Sequence, residues 1–191
     1  YQLAVTAVRG PQGLKYFKGK GADLADKVVA LDGELSEHLV SPEELREHEE
    51  AFIGQAESFR DPRNGKAKRG YTDFLKAAEV ARQRIELSEL VERYRDLKLR
   101  RDLIDFGDQM VLGARLAEER PEVGAIEREK FKVVLLDEYQ DTSVAQRRML
   151  VGLFGGGHPV TAVGDPCQSI YRGRRASGGA LGGFPEHFAR A

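Results

Sequence analysis

Two adjacent carboxylates, Asp137 and Glu138, close the short apolar run Val133 to Leu136. A few apolar, β-prone residues bounded by polar ones read as a short, fully buried strand. In open α/β sheets, ligands bind at the carboxyl ends of the strands. The acid pair is therefore expected at the rim of a crevice. One acid there can hold a hydrated magnesium ion, and its neighbour can orient or deprotonate a water. That chemistry is the second half of a nucleotide-hydrolysing site. Farther along, Val160-Thr161-Ala162-Val163-Gly164-Asp165 reads as another short strand with an acid at its end, followed by Pro166-Cys167-Gln168-Ser169-Ile170-Tyr171.

The elements that must position these groups follow from what lies between them. Val144 to Phe154 carries apolar residues at Val144, Met149, Leu150, Leu153 and Phe154 and is closed by Gly155-Gly156-Gly157, which predicts a short helix. Strand, helix, strand makes a right-handed parallel unit, and both polar strand ends then face one edge.

These residues resemble the UvrD/Rep/PcrA-type DNA helicases of superfamily 1. Asp137-Glu138-Tyr139-Gln140-Asp141-Thr142 is similar to their second motif, the Walker B box. Val163-Gly164-Asp165-Pro166-Cys167-Gln168-Ser169-Ile170-Tyr171 is similar to their third, in the same order and spacing. Leu103-Ile104-Asp105-Phe106-Gly107-Asp108-Gln109-Met110 resembles the family's Asp-Phe-Asp-Asp segment. By motif the resemblance covers residues 90 to 190. It implies ATP and Mg2+ as cofactors, with single-stranded and duplex DNA as partners.

Roles follow by matching positions. The resemblance gives Asp137 the magnesium ion and Glu138 the part of base for the water that attacks the terminal phosphate. Gln168 would sense that phosphate and link hydrolysis to DNA movement; the bland reading is a loop amide. Gln140 and Asp141 read as structural or coupling residues. Tyr171 would stack on a base of single-stranded DNA, with a core tyrosine as the competing reading. Arg174 falls in register with the family's arginine and is assigned to the nucleotide and to DNA. Just after Tyr171 the chain departs from the pattern. Gly173 stands where an aromatic is expected and Arg175 where a glycine is expected. An aromatic platform is missing there, and Arg175 lacks glycine's freedom to adopt a positive φ.

No Gly-x-x-x-x-Gly-Lys-Ser/Thr occurs in the 191 residues. Gly19-Lys20-Gly21 has no hydroxyl after the lysine and no strand before it. A phosphate cradle needs successive backbone N–H groups opening a helix, plus the lysine. In the family that element lies upstream of these motifs, so the chain is expected to be an internal piece of a helicase, partnered by the rest of that chain.

Charged residues are 32% and hydrophobic ones 41%, which fits a globular chain with a highly charged surface. No apolar run approaches a membrane span, and no signal peptide opens the chain, so a cytoplasmic location is expected. The single Cys167 excludes an internal disulfide, and the four histidines, without metal-ligand spacing, read as surface or loop residues. The near-neutral total hides local polarity. Residues 21–50 carry ten acids against two bases, and residues 60–101 carry thirteen bases against seven acids. The basic stretch reads either as a solvated, salt-bridged helix face or as a contact with DNA phosphates. Lys66, Lys68 and Arg69, with Arg60 and Arg63, form its best cluster, in an expected exposed loop.

The first half reads as helical. Ser41 is the expected cap of a helix with Pro42 at its first position, Glu44 completing a capping box, and Val40 and Leu45 stapling across the start. That helix should end before Pro62. A second starts near Thr72 or Asp73, with Leu87, Leu90, Val91, Tyr94 and Leu97 at helical spacing. Another runs from about Asp105 to Arg120, where Pro121 stops it. The expected fold class is α/β. Residues 1–100 form a mainly helical domain resembling the family's 1B insertion. Residues 101–191 form part of a P-loop NTPase (RecA-like) parallel-sheet domain, 1A. The implied function is 3'-to-5' movement on single-stranded DNA with duplex unwinding, driven by ATP hydrolysis. Two alternatives stand beside it: a component of a helicase–nuclease, and a degenerate, non-hydrolysing DNA-binding module.

Overall fold

The computed structural model describes residues 2–9, 14–18, 21–60, 65, 66, 68, 70–165 and 182–188. It divides into two compact units, Tyr1–Leu35 with Val40–Ile104, and Ser36–Leu39 with Asp105–Ala191. The described elements are mostly helices, with one small parallel sheet.

The first unit is built from α1 (Gln2–Val8), most of α2 (Gly21–His38), α3 (Pro42–Glu57) and α4 (Thr72–Leu99). On α2 the buried residues Leu24, Ala25, Val28, Leu31 and Leu35 recur every three or four positions and form one apolar stripe. It packs with Ala4 and Ala7 of α1 and with Leu87, Leu90, Val91 and Tyr94 of α4. A smaller cluster joins Ala56, Phe52 and Ile53 of α3 to Leu75 and Ala78 of α4. The start of α3 is as expected. The Glu44 N–H donates to Ser41 Oγ (3.1 Å), and the Ser41 N–H donates to Glu44 Oε2 (2.7 Å). Hydrogen bonding from Ser41, its backbone N–H foremost and then its hydroxyl, holds the Glu44 carboxyl below its ordinary range. Val40 and Leu45 both pack on the main core.

The charge polarity of this half resolves internally. Arg95 Nε donates to Asp32 Oδ1 at 2.6 Å and Lys98 Nζ to Asp32 Oδ2 at 3.0 Å, with Asp32 and Lys98 both buried. Arg84 pairs with the buried Glu49 at 2.9 Å, and Arg46 with Glu92 at 2.7 Å. Arg82 is tied to Glu57 and Glu79. Several bases of α4 thus answer acids of α2 and α3. The carboxylate of Glu86 accepts the backbone N–H groups of Lys15, Tyr16 and Phe17, which anchors that segment to α4.

The second unit holds α5 (Phe106–Glu119), α6 (Pro121–Lys130), β1 (Val134–Leu136), a 3-10 turn (Tyr139–Asp141), α7 (Val144–Phe154), β2 (Val160–Ala162) and α8 (Phe184–Phe188). Asp105 caps α5 in a reciprocal bond pair with Asp108. Pro121 ends α5 as expected, but it also opens α6 from the first helical position, where its missing N–H costs nothing. With few apolar residues, α6 has no clear periodicity to announce it. The expected helix over Val144–Phe154 is present with those bounds. It lies against α5 so closely that a Cβ on Gly152 would come within 2.8 Å of the Ala117 carbonyl.

Two expectations need correction. The strands are not fully buried among the described residues: Leu135 is 77% exposed and Val163 62%, whereas Val134 and Leu136 are half-buried. Successive strand residues point to opposite faces, and here one face is covered and the other open. The histidines also divide. His38 and His48 are exposed and His158 lies in the loop before β2, as expected, whereas His187 is half-buried and lies on α8 rather than in a loop. Burial, with Arg147 nearby, pushes the His187 pKa below its ordinary value.

Candidate functional site

β1 and β2 pair in parallel with Val134 opposite Val160, Leu135 opposite Thr161 and Leu136 opposite Ala162. Both chains leave the sheet at the same edge. The ladder continues past the strands: the Val163 N–H donates to the Leu136 carbonyl (2.8 Å), and the Tyr139 N–H donates to the Val163 carbonyl (3.0 Å). Asp137 and Glu138 sit between those two bonds and are released from the sheet.

Glu138 adopts φ 52° and ψ 37°, in the left-handed region. For a residue with a Cβ this conformation costs on the order of 1–3 kcal/mol and persists only where its surroundings impose it. It ends the strand abruptly and swings the chain into the 3-10 turn. Asp137 Oδ1 accepts the Glu138 N–H at 2.9 Å. Both carboxylates are exposed, and among the described residues no ion pair engages either.

Gln140 fastens this turn. It is 2% exposed. Its Nε2 donates to Glu138 Oε2, and its Oε1 accepts the Asp165 N–H at 3.1 Å. Gly164 leaves room for the amide: a Cβ there would lie 2.3 Å from Gln140 Oε1 and 3.3 Å from the Tyr139 nitrogen. Tyr139 is buried beneath the turn and meets Phe184 edge-on at 5.3 Å. Burial raises its phenol above the usual pKa. Ser143 then caps α7 reciprocally with Gln146 (3.2 and 3.0 Å).

The donor set suits a hard cation. Asp137 offers carboxylate oxygens to solvent. Magnesium is held in this way, by one or two carboxylates with waters and phosphate oxygens completing the shell, rather than by an all-protein cage.

Of the residues singled out in the sequence, Asp137 and Glu138 come together with Gly164-Asp165. Gln168, Tyr171, Arg174 and Arg69 lie outside the described residues. Lys66 and Lys68 belong to the first unit and are exposed. Lys68 Nζ donates to the Ser58 carbonyl (3.0 Å), and Arg60 is held by Glu57 and the Gly65 carbonyl. Beside them Phe59 stacks on Tyr71 with ring centroids 4.2 Å apart, a contact that spacing alone does not disclose. The sequence also leaves the partners of Gln140 undetermined. Its one signal is a glycine immediately before the second acid.

Residues 23–189 match the model of the UvrD/REP helicase N-terminal domain. The chain belongs to this family. A DNA helicase II of Rickettsia typhi is 37% identical over 105 residues, 53% of this chain and 16% of that protein. An ATP-dependent helicase/nuclease subunit of Streptococcus thermophilus is 41% identical over 85 residues, 44% of this chain and 7% of that protein. A probable DNA helicase II homolog of Rickettsia felis is 38% identical over 103 residues, 52% of this chain and 15% of that protein. The matched part of this UvrD/REP domain thus spans less than a fifth of those relatives. No helix among its described residues is long and apolar enough to cross a membrane.

Proposed function

We propose that this chain is part of an ATP-dependent DNA helicase and carries the water-activating half of its ATPase site. The observation that carries the reading is the shared edge of β1 and β2. There two exposed carboxylates emerge beside the backbone of Gly164-Asp165, at the place where open α/β sheets bind ligands. Family membership supports the same reading.

In this proposal Asp137 would hold Mg2+, which when bound would supply charge neutralisation for the phosphates. Glu138 takes the proton of the water that attacks the terminal phosphate. Gln168 contacts that phosphate, Arg174 serves nucleotide and DNA, and Tyr171 stacks on a base. Lys66, Lys68 and Arg69 meet DNA phosphates. Residues 1–100 are assigned to a 1B-like insertion and residues 101–191 to part of a RecA-like 1A domain. Movement is 3'-to-5' on single-stranded DNA, with duplex unwinding, in the cytoplasm.

A second reading has its own support. The similarity to the Streptococcus thermophilus helicase/nuclease protein favours a component of a helicase–nuclease, in which case full-length protein would also cleave DNA. The test common to both is Glu138→Gln in full-length protein. DNA-stimulated ATP turnover should vanish while ATP binding persists. Normal turnover in that variant would reject the assignment of Glu138 as the base; full-length protein that hydrolyses no ATP even with Glu138 in place would favour a non-hydrolysing DNA-binding module. The 191 residues contain no phosphate-loop motif, so alone they should bind ATP too weakly for calorimetry to detect. Stoichiometric binding would refute that half-site account.

A further inference from the structure

We infer that Gln140 is the positioning residue of this site. Its buried amide clamps the Glu138 carboxylate to the backbone at the end of β2, so the direction of the acid follows the position of Gly164-Asp165. This deepens the reading of Glu138 as the base and rests on it.

The argument starts from the two ends of an amide. Nε2 can only donate, and Oε1 can only accept. Glu138 presents an acceptor, and the Asp165 N–H presents a donor. A single orientation of Gln140 satisfies both, and it is the one present. Its nearest isosteres do not do the same. Glutamate would set a second carboxylate against Glu138, methionine would fill the space without either bond, and asparagine is one methylene short. At 2% exposure, water cannot readily replace a lost partner.

The surroundings are shaped to this side chain. Gly164 lacks the Cβ that would collide with Oε1, and the Tyr139 N–H holds the turn to the Val163 carbonyl. Glu138 needs such a restraint. It lies exposed, in a left-handed backbone conformation, and its own N–H is spent on Asp137 rather than on its carboxylate. Without Gln140 its carboxylate would rotate among several rotamers. With Gln140, any shift of the β2 end is passed to Glu138 through two hydrogen bonds.

Two measurements test this, one without ATP. In the 15N-labelled 191-residue chain at neutral pH, the Gln140 side-chain amide resonances, identified by their loss in Gln140→Met, should shift in Glu138→Gln and be displaced in Gly164→Ala. Resonances indifferent to Glu138 would overturn the inference. In full-length protein, Gln140→Met should lower kcat for ATP on the order of 100-fold with KM nearly unchanged, the signature of a misplaced base rather than a lost binding contact. Gly164→Ala, which keeps Gln140 but displaces it, should lower kcat in the same sense. An unchanged kcat in both variants would overturn the inference. If Gln140→Met fails to fold, Gly164→Ala and the resonance experiment decide it. If instead Glu138→Gln hydrolyses ATP normally, the proposed function fails, while the resonances still decide whether Gln140 holds Glu138.

Discussion

Asp32 and Glu138 are both acids on helical or strand-end backbone, and the two units treat them in opposite ways. Asp32 is buried in the first unit and held by Arg95 and Lys98, the latter itself buried. Its charge holds one helix to another. Glu138 is exposed in the second unit, sits on strained backbone and has no cation within ion-pair reach among the described residues. Its carboxylate is kept available to solvent, held by the neutral amide of Gln140. A buried, fully paired carboxylate is scaffold. An exposed one held in direction but not neutralised is poised for a ligand or a proton.

Substitution should separate these roles. The largest effect is expected at Glu138: Glu138→Gln should reduce ATP turnover of full-length protein by about 10²–10⁴-fold, the range general-base catalysis supplies. Its thermal unfolding should stay close to that of the unmodified protein, because an exposed side chain is being replaced by a neutral one of the same shape. Loss of stability together with turnover would erase the contrast with Asp32.

The converse holds for Asp32. Asp32→Ala removes the buried carboxylate shared by Arg95 and Lys98 and should destabilise the first unit by about 3–5 kcal/mol, read by urea unfolding of the 191-residue chain. Asp137→Asn, on the exposed pair, should change stability by no more than about 0.5 kcal/mol. Equal losses in both variants would mean that the strand-end acids are structural as well.

A smaller effect sharpens the comparison by showing what the units share. Ser41→Ala and Ser143→Ala each remove a capping box and should each cost about 1 kcal/mol, measured by thermal unfolding. Helix starts obey the same local rule in scaffold and site. The smallest effect concerns the exposed lysines of the first unit. Neutralising Lys66, Lys68 and Arg69 should lower the salt dependence of single-strand binding by roughly 0.7 in slope per lost phosphate contact, followed by fluorescence anisotropy across a salt series. An unchanged slope removes this loop from the DNA surface and leaves it as scaffold.

Local chemistry is the part legible in the sequence. Ser41 with Glu44 and the run Val144–Phe154 specify their helices through bonds and spacings a few residues apart, and the structure has both. The acid pair after an apolar run marks the strand end for the same reason. Other features depend on residues far apart in the chain. The bases of α4 could have met DNA or solvent. That several meet Asp32, Glu49 and Glu57 follows from how α2, α3 and α4 pack together. The open face of β1 reflects which elements cover it, not the apolarity of Leu135.

What the sequence determined by itself is the kind of chemistry and its order along the chain: a strand ending in Asp137-Glu138, a capped helix, and a strand ending in Gly164-Asp165. Tertiary structure decided how those ends are tied. The bond from Gln140 to Glu138 spans two residues, but its bond to Asp165 spans twenty-five. It exists only because parallel pairing brings the two strand ends together and Gly164 leaves space for an amide. Periodicity and capping are short-range preferences of one segment. A clamp between two strand ends depends on register and on excluded volume, and both arise only when the segments pack.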